Sequence, residues 1–416
     1  MSQKNELVPK RRFKEFENAG DWEQRKLGDV AAHFEYGLNV SATDYDGVNK
    51  YLRITDIDEN SHLLIKEDLT SPNVDLKNAD NYLLEEDDIL FARTGASVGK
   101  TYQYRKIDGK VYYAGFLIRA KVKPDFDSSF IFQNTLTNQY DNFIRVTSQR
   151  SGQPGVNAKE YASYTFHIPK KDEQEKIGNL FRVLDDTITL HQRKLDKLKS
   201  LKQGYLYQMF PQNGQKVPTL RFSGFSGDWG VHKLKDMASL MNGYAFKSEN
   251  YVSSGIYKIL TISNVTGQRY TDMNETNSVD YLPSNIQSYQ ILQQGDVLIS
   301  LTGNVGRVSI VNEENCLLNQ RVGLLKINSN VNQEYIYQCL NNKKFEEKMI
   351  KSGQGAAQLN ISKNDIEEYE ILLPSKKEQQ KIGQFFKQLD ETIDIQEQEL
   401  EKLKNLKEAY LNEMFV

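Results

Sequence analysis

Apolar residues in two stretches of the chain recur at alternating steps of four and three positions. The seam that they form comprises Ile177, Phe181, Leu184, Ile188, Leu195 and Leu198 in the first stretch and Ile382, Phe386, Leu389, Ile393, Leu400 and Leu403 in the second. This heptad spacing is typical of helices that pair in a coiled coil. Both stretches follow a proline and acidic residues, which is a helix N-terminal pattern, and neither contains an interior proline. The pattern predicts two helices of about 35 residues, each spanning on the order of 50 Å.

Polar residues interrupt the two seams at equivalent positions. His191 corresponds to Gln396, and Lys202 corresponds to Lys407. We interpret these residues as polar layers that set the register of a helix pair, while a solvated seam position is an equally open interpretation for His191. Two such helices in one chain pack most economically on each other. An antiparallel arrangement would place the globular regions at opposite ends of the pair.

The sequence outside the helices is also duplicated. The repeated landmarks are Gly20-Asp21-Trp22 and Gly227-Asp228-Trp229, then Thr94-Gly95 with Val98-Gly99-Lys100 and Thr302-Gly303 with Val305-Gly306-Arg307, then Ser151-Gly152-Gln153 with Asn157 and Ser352-Gly353-Gln354 with Asn360. From Pro169 and Pro374 onward the copies align without a gap, and about half of the positions are identical. A shared scaffold with divergent loops suggests two domains of one fold that recognise different things. A duplicated structural domain is the alternative.

Short β-type runs separated by Gly- and Asn-rich turns mark each globular region. Examples are Val111–Tyr113, Phe116–Ile118 and Val322–Ile327. They predict a mixed sheet with a few helices. The fold class is therefore α+β, with two globular mixed-sheet domains alternating with two long helices that form an antiparallel coiled coil. The predicted divisions are 1–168, first domain; 169–210, first helical region; 211–226, linker; 227–373, second domain; and 374–416, second helical region.

Catalytic motifs are missing from the sequence. The segment from Gly95 to Gly99 matches the G-x-S-x-G pattern of a nucleophile elbow, but the second copy lacks the serine and its spacing, which indicates a structural turn. The glycine-rich nucleotide loops are absent, and so is the proline pair of the amino-methyltransferase signature. The histidines lack metal-ligand spacing. We therefore predict no catalytic centre, no metal and no cofactor in this chain.

Composition limits the cellular setting and the partners. The 416 residues carry a net charge of −3 and include two cysteines, Cys316 and Cys339. No signal peptide or membrane-length apolar run is visible, and so few cysteines suit a reducing cytoplasm. A protein that wraps DNA alone is usually basic. If this chain binds DNA, we expect partner subunits to supply much of the phosphate neutralisation.

The loops of both copies are rich in the residue types that bind base edges and phosphates. The candidate DNA contacts are Arg53, Arg93, Lys100, Arg105, Arg150, Gln153 and Asn157 in the first copy and Asn264, Arg269, Arg307, Gln320, Arg321, Lys351, Gln354 and Asn360 in the second. Any single residue of this kind is more often solvated surface than a base contact. Residues that differ between the copies are the stronger candidates for base recognition.

The order of these motifs resembles the specificity subunit of type I restriction–modification systems. The likeness rests on the repeated Gly-Asp-Trp motif, the Thr-Gly-x-x-Val-Gly-Lys/Arg turn, the Ser-Gly-Gln element and the Pro-x-x-x-Glu-Gln-x-Lys-Ile-Gly helix start, and it covers nearly the whole chain. The resemblance implies two target-recognition domains, each binding one half of a bipartite, asymmetric double-stranded DNA target. Base-contacting residues cannot be transferred by motif, because target-recognition regions diverge.

The resemblance also implies partners. Two modification subunits would dock on the helical regions and bring S-adenosylmethionine-dependent adenine methylation. Restriction subunits would add ATP- and Mg-dependent translocation and cleavage. The helix pair would act as a ruler that fixes the distance between the half-sites. Two other classes remain open from the residues alone: a non-catalytic scaffold or adaptor that binds proteins, and a self-contained DNA-modifying enzyme, which the missing motifs disfavour.

Overall fold

The computed structural model describes residues 7–149, 153–212, 214–353 and 359–416. The chain divides into two compact units. The first unit contains the chain up to Lys194 together with Glu397–Val416, and the second unit is Leu195–Gln396. Each unit thus combines one globular domain with half of each long helix. Among the described residues, none of the helices is both long enough and apolar enough to cross a membrane.

The first globular domain is a mixed β-structure with short helices. Its strands are β1 (Glu23–Lys26), β2 (Ala31–Tyr36), β3 (Ala42–Asp44), β4 (Lys50–Leu52), β5 (Thr70–Pro72), β6 (Asp88–Ala92), β7 (Thr101–Gln103), β8 (Val111–Tyr113), β9 (Leu117–Val122) and β10 (Thr165–Ile168). Its helices are α1 (Leu27–Val30), α2 (Ser128–Asn134), α3 (Asn138–Thr147) and α4 (Ala158–Ala162), and they are followed by the long helix α5 (Lys171–Met209). The main sheet is antiparallel, in the order β2-β9-β6-β7, while β4 pairs with β8 in parallel.

The second globular domain repeats this sheet. Its strands are β11 (Gly230–Lys233), β12 (Ala238–Asn242), β13 (Tyr257–Leu260), β14 (Asn277–Val279), β15 (Ile291–Leu292), β16 (Val297–Ser300), β17 (Val308–Ile310), β18 (Cys316–Leu318), β19 (Val322–Ile327) and β20 (Glu370–Leu373). Its helices are α6 (Gln333–Leu340), α7 (Lys343–Ser352) and α8 (Lys363–Glu367), before the long helix α9 (Lys376–Met414). The order β12-β19-β16-β17 matches the first domain, and β13 again runs parallel to β18. The predicted fold class is confirmed.

One fully buried, mainly apolar strand lies in the core of each domain's main sheet. All five residues of β6 and all four of β16 are buried, because the main sheet is covered on both faces at these strands. The two tryptophans are 2% exposed. Trp22 packs edge-on against Phe130, with ring centroids 5.6 Å apart, and Trp229 packs in the same way against Tyr335 at 6.0 Å. Each tryptophan therefore belongs to the core of its own unit.

The long helices pair antiparallel in both units. In the first unit Asp185 contacts Lys407 at 2.7 Å and His191 lies 3.7 Å from Glu399, so residue numbers rise along α5 as they fall along α9. In the second unit Lys202 contacts Asp390 at 2.6 Å. Each helix has 39 residues, slightly more than predicted, and spans about 58 Å. The helices lie inside the predicted helical regions; the division of the remaining chain into domains and linker stays a prediction.

All residues of the predicted seam are buried or half-buried. The seam residues that are buried are Ile177, Phe181, Leu184, Leu195, Ile382, Phe386 and Leu400, and those that are half-buried are Ile188, Leu198, Leu389, Ile393 and Leu403. The seam lysines, Lys202 and Lys407, each pair with an aspartate of the opposite helix. Their side chains are 14% exposed, so these polar layers are largely shielded from solvent.

The repeated helix start anchors each domain to the long helix that follows it. Arg12 forms two hydrogen bonds of 2.7 Å with the buried carboxylate of Glu173, and Arg221 binds Glu378 in the same way at 2.7 and 2.8 Å. Such bidentate contacts are among the stronger side-chain interactions. They connect the N-terminal loop of each copy to the first turn of the helix.

The glycine of the same motif permits a close approach. A Cβ at Gly178 would lie 2.2 Å from the Asp127 carboxylate, and a Cβ at Gly383 would lie 2.3 Å from the Asn332 side chain. Asp127 and Asn332 are the N-caps of α2 and α6. Glycine is therefore required where the short helix of the domain meets the long helix.

Candidate nucleic-acid interface

Three loops meet at one edge of the main sheet in the first domain. We call this site the first loop junction; it comprises Tyr36 and residues 93–95, 115–116 and 153–158. The backbone amide of Arg93 donates to the Phe116 carbonyl at 3.0 Å, and the Val156 amide donates to the Arg93 carbonyl at 2.9 Å. The loop that follows β6 is thus held between the other two.

The second domain builds the same frame from different residues. The second loop junction comprises residues 242–246, 301–303, 320–321 and 359–362. The Leu301 amide donates to the Arg321 carbonyl at 3.0 Å, and the Ile361 amide donates to the Leu301 carbonyl at 3.0 Å. Arg93 therefore corresponds to Leu301, and Phe116 to Arg321. The backbone hydrogen bonds of the two junctions are equivalent, although the side chains at these positions differ.

The first loop junction exposes a cation beside aromatic rings. The Arg93 guanidinium lies 4.9 Å from the centroid of the Tyr36 ring. Tyr36 is 43% exposed and Phe116 is 59% exposed, and Gln153 is exposed beside Gly95. A guanidinium held against a ring keeps donors available for a guanine edge.

The second loop junction exposes amides and a guanidinium. Gln320, Arg321 and Asn360 are exposed, and Asn360 pairs through its backbone with Thr302. The Tyr244 hydroxyl donates to the Asn285 side chain at 2.8 Å. Amide side chains match adenine and guanidinium groups match guanine in the major groove. Three of the candidate contacts of the second copy thus come together here.

Sequence analysis did not single out the aromatic residues Tyr36, Phe116 and Tyr244. The sequence does contain one indication of the two tyrosines, because Gly37 and Gly243 occupy equivalent positions next to Tyr36 and Tyr244. A Cβ at Gly37 would lie 2.3 Å from the carbonyl oxygen of Ala114, and the second glycine is equally close to Asn319. The glycines mark the close approach of two loops. The tyrosines stand on opposite sides of them, which hides the correspondence.

Three of the predicted contacts lie in the protein interior. Lys100 is 9% exposed; its ammonium donates to the Ile57 carbonyl at 3.1 Å and pairs with Glu59 at 2.5 Å. Asn264 is 2% exposed and donates to the Asp272 carbonyl at 2.7 Å. These bonds hold loops of their own domains.

Arg269 is the third interior residue. It is 9% exposed and bonds Glu334 at 2.7 and 2.9 Å and Asp390 at 3.3 Å. Burial disfavours the charged guanidinium, but the hydrogen bonds that Arg269 makes with Glu334 and Tyr270 and the charges of Glu334 and Asp390 outweigh it and raise the pKa of Arg269. Because its donors are engaged inside the unit, the proposed DNA contacts leave out Arg269 together with Lys100 and Asn264.

The remaining predicted contacts among the described residues are half-buried or exposed, and all of them except Asn157 lie outside the two loop junctions. Arg53 pairs with Asp56 at 2.8 Å, Arg105 with Asp186 at 2.9 Å, and Arg307 lies 3.4 Å from Glu346, while Lys351 is exposed near the end of α7. Asn157 is the N-cap of α4, where it accepts from the Glu160 amide at 3.0 Å. Arg150 and Gln354 lie outside the described residues.

The structure corrects one predicted correspondence between the copies. The motifs predict that Asn157 corresponds to Asn360, but Asn157 is a helix N-cap and its counterpart is Ser362, the N-cap of α8. Asn360 instead corresponds to Gly155, since these two residues form equivalent bridges to the loops after β16 and β6. Between Gln153 and Gly155 of the first copy, and Gln354 and Asn360 of the second, the second copy has four additional residues, whereas the predicted pairing of Asn157 with Asn360 allows only two.

Metal chemistry has no visible site in the described ranges. No group of three or more His, Cys, Asp or Glu side chains there could hold a metal ion. Burial raises the pKa of the Cys316 thiol to about 11 and that of Cys339 to about 12, so both are unreactive core residues.

The family model described as the type I restriction modification DNA specificity domain matches the chain twice, over residues 19–200 and 226–405. The chain belongs to this family. The two matches coincide with the two copies found in the sequence, and the predicted resemblance is confirmed. Members of the family are non-catalytic DNA-recognition subunits that work within a larger complex, so the chain is not itself an enzyme.

Relatives of this family cover nearly the whole chain. The type I restriction enzyme MjaVIII specificity subunit of Methanocaldococcus jannaschii is 23% identical over 410 residues, which cover 94% of this chain and 91% of the relative. The crystal structure of the type I restriction–modification system S subunit from M. genitalium is similar with a TM-score of 0.70 at 14% identity, covering 99% of both chains. This structural likeness supports the fold.

Proposed function

We propose that each loop junction recognises one half of a bipartite, asymmetric DNA target within a type I restriction–modification complex. The main support for this proposal is that the two copies share a backbone arrangement but differ in the side chains that it presents. The two junctions share backbone hydrogen bonds, yet Arg93 is replaced by Leu301 and Phe116 by Arg321. Equivalent frames with different side chains suit two half-sites of different sequence.

The side chains suggest a division of roles. Arg93 and Arg321 would donate to guanine edges, and Gln153, Gln320 and Asn360 would bind bases through their amides. Tyr36 and Phe116 would make apolar contacts with base edges. The remaining surface candidates would contact phosphates and set the orientation of each domain on the duplex; these are Arg53, Arg105, Asn157, Arg307 and Lys351.

The helix pair would set the distance between the half-sites. A separation near one turn of DNA, about 34–36 Å, would present both half-sites on the same face of the duplex. Helices that span about 58 Å are long enough to hold such a separation. The half-site sequences and the length of the spacer would thus depend on different parts of the chain.

Two modification subunits would dock on the helices. Apolar side chains stay exposed at equivalent positions of both copies: Leu190 matches Ile395, at 65% and 57% exposure, and Leu201 matches Leu406. Repeated exposed apolar residues are typical of a surface that binds two copies of one partner. The substitutions Leu190→Glu and Ile395→Glu should therefore reduce co-purification of the modification subunit.

The chemistry would belong to those partners. S-adenosylmethionine would bind the modification subunits, and ATP and Mg²⁺ would bind restriction or translocase subunits. A net charge of −3 on this chain fits a complex in which the partners surround the DNA and neutralise its phosphates. Free, buried cysteines fit work in a reducing cytoplasm.

The proposal is tested by co-expressing the chain with the modification subunits of its system in a host without restriction. Long-read sequencing then maps the methylated adenines. We expect one motif with two different half-sites separated by a fixed unread spacer. A contiguous or palindromic motif, or methylation that persists without this chain, would refute it.

A further inference from the structure

A cluster of three polar residues recurs in both units. The first clamp is Gln133, Asp185 and Lys407, and the second clamp is Gln338, Asp390 and Lys202. In each clamp the glutamine amide donates to one carboxylate oxygen of the aspartate at 2.7 Å. The lysine binds the other carboxylate oxygen, at 2.7 Å in the first clamp and 2.6 Å in the second.

Each clamp joins three different elements. The glutamine lies on a short helix of the globular domain, α2 or α6, the aspartate on the long helix that follows that domain, and the lysine on the opposite long helix. One carboxylate thus holds the domain with one oxygen and the helix pair with the other. Gln133 is 2% exposed and Gln338 is 1% exposed.

Setting the register of a helix pair does not require this arrangement. The ion pair between aspartate and lysine would be enough, as a polar layer in a coiled coil is. The glutamine adds a bond between domain and helix through its amide nitrogen, even though its buried amide oxygen has no hydrogen-bond partner among the described residues, which costs stability. The same three residue types occupy equivalent places in both units, although the loops of the domains have diverged.

We propose that the two clamps are positioning devices, which fix the orientation of each recognition domain on the helix pair and so restrict the spacer length that the complex accepts. This inference rests on the proposed function. The clamp residues do not touch DNA; they act by preventing the domain from rotating on its helix. Loss of a clamp should therefore relax the spacing between half-sites and leave the half-site sequences unchanged.

Besides the clamps, one further ion pair between domain and helix differs between the units. In the second unit Arg269 reaches Asp390 and Glu334 in the interior. In the first unit Arg105 binds Asp186, whose side chain is 61% exposed. Asp185 and Lys407 also line an open cleft of about 1060 Å³. The first clamp is thus the more solvated, and its domain depends more on the clamp itself.

The most informative variants remove only the hydrogen bond from the glutamine of the domain to the aspartate of the long helix. Gln133→Met and Gln338→Met keep the side-chain length and leave the ion pair of aspartate and lysine in place. Asp172→Asn serves as the matched control, because Asp172 is an exposed residue of the same helix, α5, outside the clamp. All variants are assembled with the modification subunits, and methylation is measured on plasmids that carry the wild-type half-sites at the native spacer and at spacers one and two base pairs longer or shorter.

We expect Gln133→Met to raise the ratio of off-length to native-length methylation by about tenfold, the size expected for losing one hydrogen bond to a charged group. Gln338→Met should raise it less, because Arg269 still holds the second domain. Asp172→Asn should match the wild type.

A purely structural role gives a different result. Methylation would then fall at all spacers in proportion, and the ratio would stay at the wild-type value, which would overturn the proposal. If Gln133→Met does not assemble, Gln133→Glu, which places a like charge beside Asp185, is measured in its place, and an unchanged ratio overturns the proposal equally. A wild-type complex that methylates no bipartite site would instead refute the proposed function.

Discussion

In the second unit Arg269, Glu334 and Asp390 form a contact between domain and helix inside the protein, whereas in the first unit an ion pair from a different position of the domain, Arg105 with Asp186, lies at the surface. Both units use the same glutamine, aspartate and lysine beside it. Buried charged pairs are costly to break, while exposed pairs contribute little and are screened by salt. The two domains of one fold are therefore attached with different strength.

The loop junctions show the same division between shared frame and private side chains. Backbone hydrogen bonds recur in both, while Arg93 and Arg321 come from different loops of their junctions. Recognition can therefore change by substitution at exposed positions, because the frame does not depend on those side chains. In each domain, the residues that attach it to the long helices are therefore different from the exposed residues that can vary at the loop junction.

Removing the clamp aspartates should give the largest difference in stability between the two units. Asp390→Ala removes the carboxylate that Lys202 binds and one of the two carboxylates that Arg269 binds, and it should lower the free energy of unfolding of the second unit by about 3–5 kcal/mol. Asp185→Ala should cost the first unit about 1–3 kcal/mol, because the Asp185 side chain is 20% exposed against 3% for Asp390. Each unit contains one buried tryptophan, so urea unfolding can be followed by fluorescence in Trp22→Phe and Trp229→Phe backgrounds.

Asp172→Ala is the control for these unfolding experiments and should change stability by less than about 0.5 kcal/mol. Equal losses in the two units, or a greater loss in the first, would contradict the comparison.

Single substitutions at the junctions should affect one half-site each. Arg93→Ala should reduce methylation and relax one base position of the first half-site, and Arg321→Ala should do so for the second, each by about 1–3 kcal/mol of discrimination. Methylation of a library with randomised half-sites measures both effects. Arg25→Ala, in an exposed pair with Glu23 on β1, is the matched control. Relaxation of both half-sites by one variant would show that the junctions do not act separately.

Salt should loosen the first domain before the second. Raising the ionic strength from about 0.1 to 0.5 M screens the pair of Arg105 and Asp186, which is worth about 0.2–1 kcal/mol. Hydrogen exchange should then accelerate in α2 and stay constant in α6, and Arg105→Ala should reproduce the effect at low salt. Equal acceleration in both helices would remove the distinction between an exposed and a buried attachment.

Acid should weaken the first unit slightly. Burial lowers the pKa of His62, and the charges of Lys407 and Lys100 add to the shift, while a hydrogen bond to the Thr101 carbonyl and the charge of Asp185 oppose it. The unfolded chain therefore binds the proton more readily, so stability is full above about pH 6.5 and falls as the pH drops below that value. The transition reported by Trp22 should shift at pH 5.5 and that reported by Trp229 much less.

His62→Gln should remove the difference in pH response between the two transitions. A shift of the first transition that persists in this variant would assign the effect to other groups.

Helices and strands that follow a periodic sequence pattern could be predicted, because such a pattern depends only on neighbouring residues. The heptads fixed α5 and α9 to within a few residues, and the β-type runs located β8 and β19. Phe116 was placed in a strand, but β9 begins at Leu117, because Phe116 turns outward to form the first loop junction. A run of β-formers does not reveal where the strand leaves the sheet.

The candidate site was predictable only in part, because its residues come from distant segments. Tyr36, Arg93, Phe116 and Gln153 meet through tertiary contacts that no local pattern encodes. The sequence also cannot distinguish Arg269, which is buried against carboxylates, from Arg321, which is exposed. The seam lysines were recognised as polar layers, but their aspartate partners were not, since Asp185 and Asp390 lie beside the seam rather than on it.

The most direct test of the ruler is the deletion of one heptad from each long helix, at equivalent positions near its middle. Seven residues span about 10 Å, or about 3 base pairs of DNA. Mapping of methylated adenines should show both half-sites unchanged and a spacer shortened by about 3 base pairs. An unchanged spacer, or altered half-site sequences, would contradict the account that two independent recognition domains are held apart by a rigid helix pair.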